Sequence, residues 1–365
     1  MRSFEELLRS WGGEQAVFRY DEPSGSWMFV CIHSTTLGPA GGGTRMLVYP
    51  TPADGLADAM RLSAAMTLKM AVVGAPFGGG KAVLAVPALP DGEERRKLLL
   101  RYGALVSSLG GMFRTAADVN TSTPDLDVLA EVCPYVYGRS ETLGGGGDSG
   151  RGTARGVFHG ILASLRHVYE TDELRGRTVL VQGLGSVGGR LAADLAAGGA
   201  DLLVSDVDAV RAQGVAASLG ARVVAPEQAL AAECDVFAPC AVGGVLSRDS
   251  VSILRCRIVA GAANNQLAAP EDAERLRAAG ILYAPDYVIN AGGILQLLGL
   301  EDLVWDEEVL EEHLAGIGAT VGEIFLLAER EGISTGRAAE RVALARLSGD
   351  QGSASGDAGR PRRGT

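Results

Sequence analysis

Histidine and cysteine are both scarce in this chain of 365 residues, at four and five respectively. The cysteines (Cys31, Cys133, Cys234, Cys240 and Cys256) are scattered, with no C-x-x-C pair. That excludes the common zinc signatures and points to reduced, buried thiols, so no metal is expected. Positive charge is also short: 33 Lys and Arg face 44 Asp and Glu, for a net charge of -11. A polyanionic partner such as nucleic acid is therefore not expected. No apolar run approaches the roughly 18 residues of a membrane span. The first fifteen residues carry Glu5, Glu6 and Glu14 and do not read as a signal peptide, so the expected location is cytoplasmic. What remains is an ordinary globular composition, 47% hydrophobic and 21% charged, and a length that suggests about two domains.

Glycine, by contrast, is plentiful, with 51 residues, and it is clustered at 41–43, 78–80, 144–147 and 183–189. Such runs mark close backbone approach or positive φ. Several adjoin a Lys, Arg or Asp, as a ligand site would. In the first part, 27–33 and 81–86 read as strands, with a short strand at 112–115. Helices are expected at 54–73, 93–109 and 124–132, the last opened by Thr123 with Asp125 and Asp127 in its first turn. The glycines of 144–152 form a plausible hinge, followed by a helix over 153–169.

From there short apolar strands (178–182, 200–205, 223–224, 235–238, 257–260, 281–284) alternate with helical stretches (187–197, 226–232, 270–279). This alternation predicts a doubly wound parallel sheet, and with the first part an α/β protein of two domains. One face of Leu310, Leu314, Ile317, Val321, Ile324, Phe325 and Ala328 predicts a long helix capped by Asp306, and a last helix runs over 335–347. Residues 348–365 lack apolar periodicity and are expected to be disordered.

Gly183, Gly185 and Gly188 form a G-x-G-x-x-G between an apolar strand and a helix. The first glycine allows a tight turn, the second admits a pyrophosphate to the backbone, and the third lets helix and strand pack closely. The helix N-terminus then faces the phosphates. Asp206 closes the next strand, 23 residues after Gly183. A carboxylate there accepts hydrogen bonds from a ribose and repels a 2′-phosphate, which favours NAD over NADP.

Arginine supplies nearly all the cationic charge, so lysines are conspicuous. Lys69 ends an apolar helix, and Lys81 follows three glycines into an apolar strand. A lysine in apolar surroundings is costly unless paired or used, and it is titratable where arginine is not. Asp118 lies among small and apolar residues in the same half. Each alone is compatible with a surface charge; together they fit the catalytic side of a cleft.

Seven segments, in order from 37 to 293, carry a resemblance: LGPAGGGTRM (37–46), MTLKMAVVGAPFGGGK (66–81), ADVNTSTPDLD (117–127), VQGLGSVGG (181–189), CDVFAPCAVGG (234–244), VAGAANNQLA (259–268) and ILYAPDYVINAGG (281–293). The chain resembles the glutamate, leucine, phenylalanine and valine dehydrogenase family, most closely its phenylalanine and valine branches. The resemblance implies reversible NAD-dependent oxidative deamination of an L-amino acid to its 2-oxo acid. It implies that Lys69, with Gly42, binds the α-carboxylate, that Lys81 polarises the 2-oxo group and the attacking water, and that Asp118 carries protons to and from the amino group. Asn264 would hold substrate and nicotinamide. Cofactor contacts are implied at Arg45, Val119, Ser149 and Thr153, at Ser186, Val187 and Val207 beside the glycine turn, and at Cys240, Ala241, Ala262, Ala263 and Asn290. The chemistry agrees, because loss of hydride from a neutral amine, hydration of an imine and collapse of a carbinolamine each need an acid or base near neutral pH.

In glutamate-using members the segment like 38–43 carries a Lys for the substrate's side-chain carboxylate; Gly41 stands at that position here. A carboxylate would be left unpaired, so an apolar side chain is expected, Phe or Val, Leu and Ile. Gly41 would enlarge the pocket, and Ala116, Ile294 and Leu297 would line it. Thr153 matches the family while Arg151 and Arg155 do not, and both arginines are expected to face solvent. A 2-hydroxy-acid dehydrogenase usually employs a catalytic His, and none of His33, His159, His167 or His313 lies in a cleft motif. A catalytically dead NAD-binding regulator is argued against by the intact Lys69, Lys81, Asp118 and Asn264. The expected organisation is a catalytic and oligomerisation domain (1–148), a nucleotide domain (149–298) and C-terminal helices packing back across the cleft (299–347), in a homo-oligomer.

Overall fold

The computed structural model describes residues 4–349; of the tail expected to be disordered, residues from 350 onward lie outside them. The first half runs α1 (Phe4–Trp11), β1 (Gln15–Asp21), β2 (Ser26–Ser34), β3 (Ala40–Leu47), α2 (Pro52–Val72), β4 (Gly78–Ala85), α3 (Gly92–Ser107), β5 (Phe113–Ala117) and α4 (Thr123–Ala130). Its five strands form a mixed sheet in the order β1-β2-β4-β3-β5, in which β1/β2 and β2/β4 are antiparallel and β3 is parallel to β4 and β5.

Successive side chains of a strand point to opposite faces, and that alternation decides which residues meet which helix. Phe29, Cys31, Val83 and Ala85 pack with Leu56, Ala59 and Met60 of α2. Met28, Val30, Ile32, Ala82 and Leu84 pack with Leu98, Leu99 and Tyr102 of α3. Lys81, in phase with Val83 and Ala85, is thereby delivered to the α2 face, where Lys69 stands in that helix's last turn. α2 opens with a capping box of Thr51 and Asp54, with Pro52 at its first turn.

The glycine run at 41–43 lies inside β3, and that at 78–80 opens β4. Neither β1 nor β3 is foretold by the sequence pattern, and β4 starts three residues before the strand expected at 81–86. The physical reason is close approach: a Cβ on Gly42 would lie 1.8 Å from the Gly80 carbonyl oxygen, and one on Gly79 would lie 2.1 Å from the Thr67 backbone nitrogen. α4 is capped by Ser122, boxed with Asp125, one residue before the expected Thr123.

The second half runs α5 (Gly150–Tyr169), β6 (Thr178–Gln182), α6 (Ser186–Ala197), β7 (Asp201–Ser205), α7 (Ala209–Leu219), β8 (Arg222–Val223), β9 (Val236–Pro239), α8 (Arg248–Ile253), β10 (Ile258–Val259), α9 (Asp272–Ala278), β11 (Leu282–Tyr283), α10 (Asp286–Ile289) and α11 (Gly292–Glu301). The sheet is wholly parallel in the order β11-β10-β9-β6-β7-β8. The winding reverses between β6 and β9, and a crevice opens there at the carboxyl ends of the strands. The helix expected at 226–232 is a 3-10 turn, Pro226–Ala231.

Among the described residues two helices follow, α12 (Glu307–Glu331), capped by Asp306 through the Val309 N–H, and α13 (Thr335–Ser348). α12 packs on α5, while α13 returns to α2, where Arg346 donates to the Val72 carbonyl. The halves are further joined at the end of α11. Arg114 of β5 pairs with Asp302 at 2.7 Å, and Glu301 accepts the Gly138 and Gly146 N–H groups. Among the described residues no helix is long and apolar enough to cross a membrane.

Candidate active site

A cavity of about 440 Å³ lies between the two halves. From the first half it is lined by Gly42, Gly43 and Arg45 of β3, Leu62, Met66, Leu68 and Lys69 of α2, Lys81 of β4, and Ala116, Ala117 and Asp118 at the end of β5. From the second half come Ser149, Thr153, Val187, Ala262, Asn264, Asn265, Asp286, Tyr287, Asn290, Gly293, Ile294 and Leu297.

Asp118 leaves β5 in a turn stitched to β3. Its N–H donates to Thr121 Oγ1, and that hydroxyl donates to the Thr44 carbonyl. The carboxylate is held by two cations, Lys81 Nζ at 2.9 Å from Oδ1 and Arg45 Nε at 2.8 Å from Oδ2. Burial alone would push its carboxyl up, but the charges of Lys81 and Arg45 and their hydrogen bonds overcome this and hold it at about 2. Lys81 is lowered, because burial disfavours its charge and Arg45 repels it, while Asp118 offsets only part. Lys69 is lowered to about 8 by burial, with further repulsion from Lys81; Asp286 and Asp118 pull the other way. The site therefore holds two lysines biased toward the neutral amine beside a carboxylate biased toward its anion.

Asp286 was missed from sequence, though a carboxylate within the apolar run ILYAPDYVI is itself a signal, since a buried charge must be used or paired. It accepts the Gln266 and Tyr287 N–H groups at 2.9 and 2.7 Å. Burial raises its carboxyl despite those bonds and the charge of Lys69. Asn290 Nδ2 donates to Asn264 Oδ1 at 2.9 Å and to the Ala262 carbonyl at 3.2 Å. Asn290 Oδ1 is buried and has no partner among the described residues. It is an unspent acceptor on the cavity's second-half wall, suited to the N–H of a carboxamide.

The glycine turn lies at the crevice beside this wall. Gly183 has φ +91°, which only glycine adopts without strain. A Cβ on Gly188 would lie 1.9 Å from the Gly183 carbonyl oxygen, whereas one on Gly185 would meet nothing within 4 Å. The space before α6 is thus open at the position where a pyrophosphate would approach, and the dinucleotide fits. Ser186 donates to Asp148, which also accepts from Arg190. Asp206 accepts the Leu184 N–H at 2.7 Å and the Asp208 N–H at 2.8 Å, and Arg211 stands 3.3 Å away. Val207, next to it, is 91% exposed. Cys240, Ala241 and Ala263 occupy the loops leaving β9 and β10, with Ala241 packed against Gly183.

Gly41, Arg45 and Val119 sit in settings that the sequence did not foretell. Gly41 does not line the cavity. A Cβ there would meet Met70 Cε at 2.9 Å, so the space expected from its missing side chain is filled by Met70. Arg45 lines the cavity and pairs with two carboxylates, Asp118 and Asp58. Val119 lies off the cavity, with its carbonyl accepting the Met46 N–H. Arg151 and Arg155 are paired with Glu307 and Glu311 of α12, away from the cavity.

Comparison with known proteins places these features. Residues 25–135 match the family described as Glu/Leu/Phe/Val dehydrogenase, dimerisation domain, and residues 203–349 match that described as Glutamate/Leucine/Phenylalanine/Valine dehydrogenase. The chain is 43% identical to the valine dehydrogenase of Streptomyces virginiae, covering 92% of this chain and 94% of that one. It is 37% identical to the leucine dehydrogenase of Bacillus subtilis (strain 168), covering 94% and 93%. It superposes on the crystal structure of L-tryptophan dehydrogenase from Nostoc punctiforme with a TM-score of 0.83 and 38% identity, over 95% of this chain and 99% of that one.

Proposed function

The chain belongs to the glutamate/leucine/phenylalanine/valine dehydrogenase family and is an NAD-dependent amino-acid dehydrogenase; on that premise we propose that its substrates are L-amino acids with branched apolar side chains, valine and leucine foremost. The overall change is amino acid, NAD⁺ and water to 2-oxo acid, ammonium, NADH and a proton. The observation that carries this reading is the grouping of Lys69, Lys81 and Asp118 around one cavity, opposite Asn264 and Asn290.

In this reading Lys69 holds the α-carboxylate. NAD bound at the glycine turn supplies the acceptor for the α-hydride. Lys81 and Asp118 handle the protons as a coupled pair. Flanked by two cations, Asp118 is too weak a base to take a proton from the substrate ammonium. Once Lys81 has given its proton to solvent, Asp118 faces Arg45 alone and gains the basicity to take the proton of the substrate ammonium. Lys81 as the neutral amine then takes a proton from the water that adds to the imine, gives it to the amino nitrogen, and takes up the carbinol hydroxyl proton as the C–N bond breaks; ammonia leaves as ammonium with the proton held on Asp118, and Lys81 releases its own to solvent. Amination runs these steps backward, with protonated Lys81 polarising the 2-oxo group.

Leu62, Met66, Leu68, Ala116, Ile294 and Leu297 give the cavity an apolar wall. Its cations are spoken for, with Arg45 shared between two carboxylates, so a glutamate side chain would be buried unpaired. Met70 beside Gly41 removes the reason to expect a larger, aromatic pocket. A homo-oligomer built through the first half accords with the matched dimerisation domain and with Phe18 and Tyr20 on edge strand β1, 56% and 51% exposed. A cytoplasmic setting accords with five cysteines present as free thiols. The test is NADH formation with a panel of L-amino acids. Valine and leucine should be used well, phenylalanine less, and glutamate not at all; glutamate as the preferred substrate would overturn the reading.

A further inference from the structure

We propose that Asp58, on α2 and outside the cavity, is a positioning residue that governs through Arg45 how much positive charge bears on the Lys81–Asp118 pair. The proposal rests on the proton roles given above for that pair. Arg45 is divided between two carboxylates, Nε on Asp118 at 2.8 Å and Nη1 on Asp58 at 2.9 Å. Asp58 in turn accepts from Tyr49 Oη at 2.8 Å and from Arg61 Nη2 at 2.7 Å. Side chains alternate in charge along the row: Lys81, Asp118, Arg45, Asp58, Arg61. The inner members are 16–22% exposed, dry enough for a charge to be felt by its neighbours.

Among the described residues, the charged groups that bear most on the pair belong to this row, together with Lys69 on α2, which Asp286 of α10 balances from the other wall. Asp58 is thus the counter-charge that keeps Arg45 from acting at full strength. Without it, Arg45 would hold Asp118 more firmly as the anion and repel the proton of Lys81 more strongly, so Lys81 would become neutral at lower pH. Arg61 acts one step further out with the opposite sense. Its loss frees more of the Asp58 charge for Arg45 and lets Lys81 keep its proton to higher pH. The direction of the charge effect agrees, since the Asp58 carboxylate counts among the groups that favour the charged form of Lys81.

The experiment is the pH profile of kcat/KM for deamination in Asp58→Asn, Arg61→Gln and Tyr49→Phe. The substrate amine titrates identically in all of them, so differences between profiles report the protein. Asp58→Asn keeps an acceptor for Arg45 and removes only charge. Its rising limb should move to lower pH, giving about three- to tenfold more activity relative to its own plateau at a fixed pH on that limb. Arg61→Gln, an exposed change that does not threaten the fold, should move the limb to higher pH by a smaller step. Tyr49→Phe removes a neutral donor and should leave the limb in place. Opposite displacements for Asp58→Asn and Arg61→Gln establish the proposal. Superimposable profiles in active enzymes overturn it, as does a Tyr49→Phe displacement equal to that of Asp58→Asn. If Asp58→Asn does not fold, an unmoved limb in Arg61→Gln overturns it alone. Native protein that reduces NAD with no L-amino acid would sink the dehydrogenase reading instead, which is a separate outcome.

Discussion

Among the described residues Lys69 has no hydrogen-bonded side-chain partner in the cavity, and it is lowered to about 8 by its burial. A lysine that anchors a carboxylate must be charged, and this one is charged below about 8 and neutral above it. In the amination direction, kcat/KM for the 2-oxo acid should therefore fall as pH rises through that region, with the loss carried by KM. A flat KM from pH 7 to 9.5 would count against Lys69 as the carboxylate anchor. The side-chain pocket also turns on single residues. Gly41→Leu should collide with Met70 and cost stability, about 1–3 kcal/mol for overpacking, with little change in the valine-to-phenylalanine ratio. Met70→Ala should open that space and raise phenylalanine relative to valine by about tenfold, the scale on which apolar pockets discriminate. An unchanged ratio in folded Met70→Ala would show that the space beside Gly41 does not serve the substrate.

Elements deliver these residues to the site, and here sequence and structure can be compared one by one. Alternation along β4 puts Lys81 on the α2 face, and the periodicity of α2 puts Lys69 at its end; both were legible because lysine stood out in apolar runs. β3 was not legible, because three glycines carry no apolar pattern. Only its partners explain it, with Gly80 and Ala117 backbone too near for any side chain at 42 and 43. The G-x-G-x-x-G and Asp206 were legible as a unit, since turn, helix and acidic strand end follow in sequence. Arg211 was not, because it comes from α7 and reaches back to Asp206. Its cation partly offsets the carboxylate that repels a 2′-phosphate. Arg211→Ala leaves Asp206 held by the Leu184 and Asp208 N–H groups. The preference for NAD over NADP should then widen, about three- to tenfold in kcat/KM. A narrower preference in that variant would contradict the role.

At the scale of the whole molecule, Lys81 and Asp118 come from one sheet and the Gly183 turn from the other, and the cavity lies where the halves are held together. α13 returns to α2, and Glu301 and Asp302 grip the first half. No local pattern foretold those contacts or the alliance of Asp58 with Arg45, since each joins residues distant in sequence. This separation makes the central claim testable through Lys81, which lies on a different sheet from the Gly183 turn. Lys81→Ala should bind NAD with nearly native affinity while hydride transfer from L-valine, followed as NADH formation in a single turnover, slows by at least a thousandfold, a general acid–base loss compounded by the misplaced carboxylate. A single-turnover rate within tenfold of native, in a variant that still binds NAD, would contradict the account.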